Sequence, residues 1–238
     1  MSSSTMRHPP VPAATMPAPL RLIRVLTAVA IVGGPLGYLL GGALEPAAHT
    51  GGQATIAANA AADPTLNAVH MAAFMAASFL LPVGVAGLAW LAYPRAPWPA
   101  TIGGVLGVIG WLPFAALTAL DDLAVAMAHA PADGAYATLW DVFAYDTVMN
   151  TYLIVYIAGH LLAYVLLGIA LRRARILPAW AAWCMVASSP LLIAAFVLPG
   201  KLAAVPLAVA AGSVGLLLLG SLPAARAMAA RARTTHAG

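Results

Sequence analysis

The chain has 238 residues, 63% of them hydrophobic and only 8% charged, with a mean hydropathy of +0.92. Soluble globular domains carry about 25% charged residues, which excludes a water-soluble fold. Its 11 Lys and Arg and seven Asp and Glu are too sparse for a nucleic-acid-binding face, and a single cysteine excludes a disulfide framework or thiolate metal cluster. An all-α, polytopic protein of the lipid bilayer remains.

Residues 1–19 are rich in Ser, Pro and Ala and read as a disordered cytoplasmic segment. Beyond them, charges fence off six apolar stretches of the length needed to cross a bilayer, roughly 20 residues each. The first covers residues 25–44, between Arg24 and Glu45. The second covers 67–93, ahead of Arg95, and the third covers 97–120, ending at Asp121 and Asp122. The others lie between Asp146 and Arg172, between Arg175 and Lys201, and between Lys201 and Arg226. Runs this long are not barrel strands, which alternate over about ten residues. The expectation is six transmembrane helices in an antiparallel bundle over residues 20–225, with a basic cytoplasmic tail at 226–238. The first stretch exceeds the about 7–15 residue core of a signal peptide, so it reads as a retained helix, with cleavage near Ala47 as the alternative.

Ten of the 11 basic residues are arginine, a usage expected of a GC-rich, actinobacterium-like host. With the amino terminus inside, all ten arginines fall on inner segments, and all seven acids fall on outer ones with Lys201. This asymmetry predicts a plasma-membrane protein with both termini cytoplasmic. The two long connections, 45–66 and 121–146, then share the outer side, where any binding apparatus is expected.

Close helix approach in lipid favours small residues. Gly33, Gly37 and Gly41 form one ridge, and Gly103, Gly107 and Gly110 another. Both predict packing seams, within the chain or between copies in a homo-oligomer. Pro35, Pro82, Pro113, Pro190 and Pro206 each remove a backbone hydrogen bond and are expected to kink or tilt their helices. Trp98, Trp180 and Trp183 fit an inner interfacial belt.

Polar groups at membrane depth are functional candidates by default. Tyr145, Tyr152, Tyr156, His160 and Tyr164 fall at spacings of seven, four, four and four, a stripe about a third of the helix circumference wide. It lines a ligand or water cleft in one reading, with His160 and a tyrosine able to relay protons. In the other, Tyr145, Tyr152 and Tyr164 are belt residues and His160 is a satisfied core side chain. Asn67, His70, Phe74 and Ser78 share one face of the second helix, where His70 can line the cleft or bridge to the acidic loop.

Asp121, Asp122, Asp141 and Asp146, with Glu45, His49 and His129, read as an outer acidic mouth. It is a cation site, a carboxylate pair for acid–base work, or an ordinary solvated loop. Asp121 and Asp122 are adjacent on a helix, so at most one enters a given site. No HExxH or DxDxDG motif occurs, so no metal or cofactor is expected. Axial haem ligation by His70 and His160 fails on depth, a mismatch of about 15 Å. The aspartate-rich motif of a prenyl-type enzyme is incomplete after Asp121-Asp122, and no nucleotide-binding loop supports an ATP-driven pump.

The stretch LLGIALRRARILPAWAAW, residues 166–183, resembles uncharacterised multi-pass integral membrane proteins of actinobacteria, over roughly the last third of the chain. The resemblance implies a topogenic device and no activity. The leading reading is a small-molecule or lipid binding or transport-accessory protein with an outward-facing polar cleft. The alternatives are an intramembrane acid–base enzyme, of cyclase or isomerase type, using His160, Tyr156 and one of Asp121, Asp141 or Asp146, or a structural partner joined through the glycine ridges. The enzyme requires His160, Tyr156 and one of those aspartates to meet in a single pocket.

Overall fold

The structure, a computed structural model, describes residues 16–46, 51–131, 135–197 and 204–233. The expectations for residues 1–15 and Ala47, and for His49, Asp133 and Lys201, lie outside the described residues. The described residues form helices and no strand: α1 (Ala18–Leu44), α2 (Gly52–Ala61), α3 (Pro64–Ala92), α4 (Pro97–Trp111), α5 (Phe114–His129), α6 (Ala135–Ala144), α7 (Thr147–Arg173), α8 (Ala179–Val197) and α9 (Ala204–Arg233).

Five segments are long and apolar enough to span a membrane: α1, α3, α4 with α5, α7 and most of α9, while α8 is a shorter apolar helix. The fold is all-α and polytopic. Leu22, Val29, Met75, Phe79 and Ile154 are among the large apolar side chains on its outer surface, as a helix facing hydrocarbon requires.

The bundle is a ring. Each crossing helix packs on its neighbour in the order α1, α3, α4, α7, α8, α9, and α9 returns to α1. Glycine sets several of these approaches. A Cβ on Gly37 would lie 2.9 Å from the Ala73 carbonyl oxygen of α3, and one on Gly84 2.9 Å from that of Ala30 in α1. Between α4 and α7, a Cβ on Gly110 would lie 2.4 Å from the His160 amide nitrogen. Gly33 and Gly41 also face α3, Gly103 faces α7 and Gly107 sits between α3 and α7, so both predicted ridges are used within the chain.

The ends of the ring differ in charge. Arg24 at the start of α1 donates to the Arg231 carbonyl near the end of α9, and Arg95 between α3 and α4 donates to the Ala174 carbonyl after α7 at 3.0 Å. Arginine thus collects at one end, where Trp98, Trp180 and Trp183 are exposed and Arg24 lies 5.7 Å from the Trp90 ring. After α7 the Ile176 amide bonds the Leu171 carbonyl and the Arg175 amide that of Arg172, a Schellman turn with Arg175 at φ 58°. Glycine normally takes that position. An arginine there costs about 1 kcal/mol in backbone preference, which the chain tolerates while keeping a third positive charge in the turn.

One reading of the sequence needs correction. The third span does not stop at Asp121: the helix pauses at Leu112 and Pro113, and α5 then carries both aspartates on to His129. Pro35, Pro82 and Pro190 lie inside continuous helices, and Pro206 falls in the first turn of α9. In the basic tail, α9 continues through Arg226 to Arg233, and residues 234–238 lie outside the described residues.

The described parts of the two long connections, 45–66 and 121–146, are largely helical and fold on each other as a cap. The Gly52 amide at the start of α2 donates to Asp141 Oδ1 of α6 at 2.8 Å, and a Cβ on Gly52 would lie 2.3 Å from the Ala137 carbonyl oxygen. A carboxylate accepting from the first amides of a helix is favoured by their unpaired donors and by the helix dipole. Asp141→Ala is expected to loosen the cap by about 1–2 kcal/mol. Amide hydrogen exchange in α2 should then speed up roughly tenfold or more while exchange in α7 is unchanged; unchanged exchange in α2 would show that the clamp is held by other contacts.

Candidate functional site

The centre of the ring is aromatic. Trp111 of α4, 1% exposed, packs its ring against Tyr38, Phe114, Tyr156, His160 and Tyr164 at centroid distances of 4.6–6.3 Å. Phe74 joins through Tyr38 and Phe114, and His70 through Phe74 at 4.7 Å. Such a cluster draws together helices that lipid gives no hydrophobic reason to associate, through dispersion and edge-to-face contact.

Hydroxyl and indole groups in this core find one another. The Tyr38 and Tyr156 hydroxyls lie 2.5 Å apart, and Trp111 Nε1 donates to the Tyr164 hydroxyl at 3.1 Å. His160 Nδ1 donates to the Tyr156 carbonyl oxygen one turn earlier. A carbonyl only accepts, so the proton sits on Nδ1, and Nε2 of the neutral ring is left as an acceptor. Nε2 is buried and has no hydrogen-bond partner among the described residues. His160 lines a void of about 10 Å³ together with Tyr38, Tyr164, Ser188 and Ser213.

Above this core, towards the α2–α6 cap, opens a cleft of about 260 Å³. Tyr38, Phe74, Phe114 and Tyr156 line it from α1, α3, α5 and α7; Trp140 and Ala144 of α6 close it from the cap side, and Glu45 and Asp121 bring carboxylates to its wall. Glu45 is the C-cap of α1, and Asp121 follows Leu117 and Phe114 on one face of α5. Two carboxylates, two phenol hydroxyls and several ring faces therefore converge on one concave space.

The stripe on α7 divides. Tyr156, His160 and Tyr164 are buried, whereas Tyr152 is 41% and Tyr145 56% exposed. Tyr145 still touches the cleft rim, and Tyr152 does not line it. His160 lines the small void rather than the cleft, so Tyr156 and Asp121 meet there without His160 and the three-residue convergence required of an acid–base enzyme is not met.

The acids also part company. Asp146 caps α7, accepting from the Met149 amide at 2.7 Å, and Asp63 caps α3. Asp141 holds Gly52, Asp121 lines the cleft, and Asp122 turns to a furrow between α3 and α5. No group of three or more His, Cys, Asp and Glu able to hold a metal occurs among the described residues. His70 Nδ1 donates to the Gly41 carbonyl at 2.8 Å, tying α3 to α1 rather than bridging to the acidic loop. Asn67 and Ser78 line the α3–α5 furrow, not the cleft.

Sequence reasoning missed Tyr38 and Trp111. Tyr38 was detectable as the only phenol on α1, and Trp111 as a tryptophan about 21 Å along the helix from Pro97, too deep for a belt. Neither a family model, a curated protein nor a solved structure matches the chain.

Proposed function

We propose that this multi-pass membrane protein is a binding or transport-accessory protein that holds a small molecule with an apolar body and a cationic end in the cleft beneath the α2–α6 cap. The observation that carries this reading is the cleft of about 260 Å³ with Glu45 and Asp121 on its wall and aromatic rings around them. Its size is just below the usual range for drug-sized ligands, which suits a compact molecule. Ring faces and carboxylates both favour a cation over an anion. The distribution of charge supports a cytoplasmic position for the arginine-bearing end, an orientation in which the cap and the cleft face outward.

An acid–base enzyme acting on a lipophilic substrate has less support, because His160 sits outside the cleft with its Nδ1 proton engaged on its own helix. A purely structural role through the glycine ridges also has less to draw on, since those glycines face α3 and α7.

Trp140 in the cleft wall offers a readout. Titration of the detergent-purified protein with benzylamine should give a saturable change in tryptophan fluorescence that phenylacetate does not give and that Trp140→Phe removes. Glu45→Gln should weaken benzylamine binding about tenfold, the scale of one charge-assisted hydrogen bond. Equal responses to amine and carboxylate, or an unchanged affinity in Glu45→Gln, would overturn the assignment.

A further inference from the structure

A second concavity lies outside the ring. Where α4 gives way to α5 at Leu112 and Pro113, α5 leans towards α2, and a furrow of about 660 Å³ is left between α3 and α5. On α3 it runs from Pro64 to Phe79, about 22 Å at the helical rise, enough for the outer half of a bilayer. Its inner reach is apolar: Met71, Met75 and Phe79 line one side and Ala115 and Ala119 the other. Ser78 and Thr118 also face it, but their hydroxyls donate to the Met75 and Phe114 carbonyls of their own helices, so they add no free donor. Phe79 is 70% exposed, so the furrow opens sideways to the hydrocarbon.

Its outer end is polar and rich in acceptors. Asp122 is exposed there with a carboxylate facing the furrow. Asn67, 5% exposed, gives its Nδ2 to Asn59 Oδ1 at 3.0 Å, and its own Oδ1 is buried with no partner among the described residues. Asn59 in turn spends its amide on the Thr55 carbonyl. Two helices finish at this spot, α2 beside Ala62 and α5 at His129, and both of those residues line the furrow. Each brings the negative end of its dipole and last-turn carbonyls without helical partners. A carboxylate, an unpaired amide oxygen and two helix C-termini, above an apolar channel one leaflet deep, make a seat for a cation that donates hydrogen bonds and trails a hydrocarbon chain.

We propose that this furrow binds an outer-leaflet phospholipid with a primary ammonium headgroup. The ammonium donates to Asp122 and Asn67, and one acyl chain follows Met71, Met75 and Phe79. A primary ammonium carries three N–H donors, whereas a choline headgroup has the same charge and phosphate with none. Charge alone would not separate the two lipids, and the orphaned Asn67 oxygen calls for donation.

The test is competition between phosphatidylethanolamine and phosphatidylcholine of identical acyl chains, mixed in equal amounts with the full-length protein in mild detergent. Bound lipid is read by native mass spectrometry. The ethanolamine lipid should be retained about tenfold over the choline lipid, the scale of a charge-assisted hydrogen bond. Asp122→Asn, at an exposed position, should bring the ratio close to one. Ala119→Trp, which fills the channel, should lower retention of both lipids. Equal retention by the unaltered protein, or a preference that Asp122→Asn and Ala119→Trp both leave intact, would overturn the proposal and leave ordinary annular lipid in the furrow.

Discussion

Gly110→Ala is expected to destabilise the bundle by about 3 kcal/mol, the upper part of the range for overpacking a close interface. The new methyl would lie 2.4 Å from the His160 amide nitrogen and 2.6 Å from the Gly159 carbonyl carbon. Those are backbone atoms of a helix, so no rotamer change relieves the clash, and α4 must move away from α7. That movement strips dispersion contacts from the Trp111 face of the interface, which lipid does not restore. The loss should appear as a fall in detergent melting temperature of roughly 6–12 °C. Gly212→Ala supplies the contrast, because nothing lies within 4 Å of its added Cβ and alanine is the better helix former by about 1 kcal/mol. Gly212→Ala should be neutral or stabilising; similar melting temperatures for the two variants would mean that α4 and α7 are not in contact as described.

Trp111→Ala should cost more, about 3–5 kcal/mol, as large-to-small changes of a buried aromatic do. Five rings surround this indole, and its Nε1 proton is the one the Tyr164 hydroxyl accepts. Truncation leaves a cavity at the meeting point of α1, α4, α5 and α7 and removes the support behind the Tyr38–Tyr156 pair. Benzylamine binding in the cleft should therefore weaken along with stability. Trp111→Phe keeps most of the ring volume and loses the indole donor, so about 1–2 kcal/mol is expected from the hydrogen bond and residual void. Trp98→Ala, at a side chain 78% exposed, should stay within about 0.5 kcal/mol. A Trp111→Ala protein as stable as Trp98→Ala would remove the aromatic core from the account.

Much of the fold was legible because its determinants are local. An apolar run bounded by charge predicts a crossing helix whatever its neighbours, and Asp63 and Asp146 stand where a helix that starts with unpaired amides needs an acceptor. The same reliance on charge misplaced the end of the third span. Asp121 and Asp122 look like the edge of the membrane in sequence, yet α5 carries them further because one faces the cleft and the other the furrow. A helix can run on through charges when each is given a polar surface of its own, and no periodicity in the chain announces that surface.

The candidate site was only half readable. The spacing on α7 correctly put Tyr156, His160 and Tyr164 on one buried face, since a repeat of four residues stays on one side of a helix. It also enrolled Tyr145, which precedes α7, and Tyr152 in its second turn, both exposed. Periodicity gives direction around an axis but says nothing about what stands opposite. Tyr38, which pairs with Tyr156 across 118 positions, has no signature of that partnership in its own neighbourhood.

Composition and charge order thus determined on their own that the chain forms a bundle of membrane-crossing helices with arginine at one end and carboxylates at the other, because hydrogen bonding in lipid and the cost of moving charge act segment by segment. The ring order, the cap clamped by Asp141 on Gly52, the cleft and the lateral furrow were decided by tertiary structure alone. Each depends on which surfaces meet, and that is settled by glycine contacts and the aromatic centre between helices far apart in sequence.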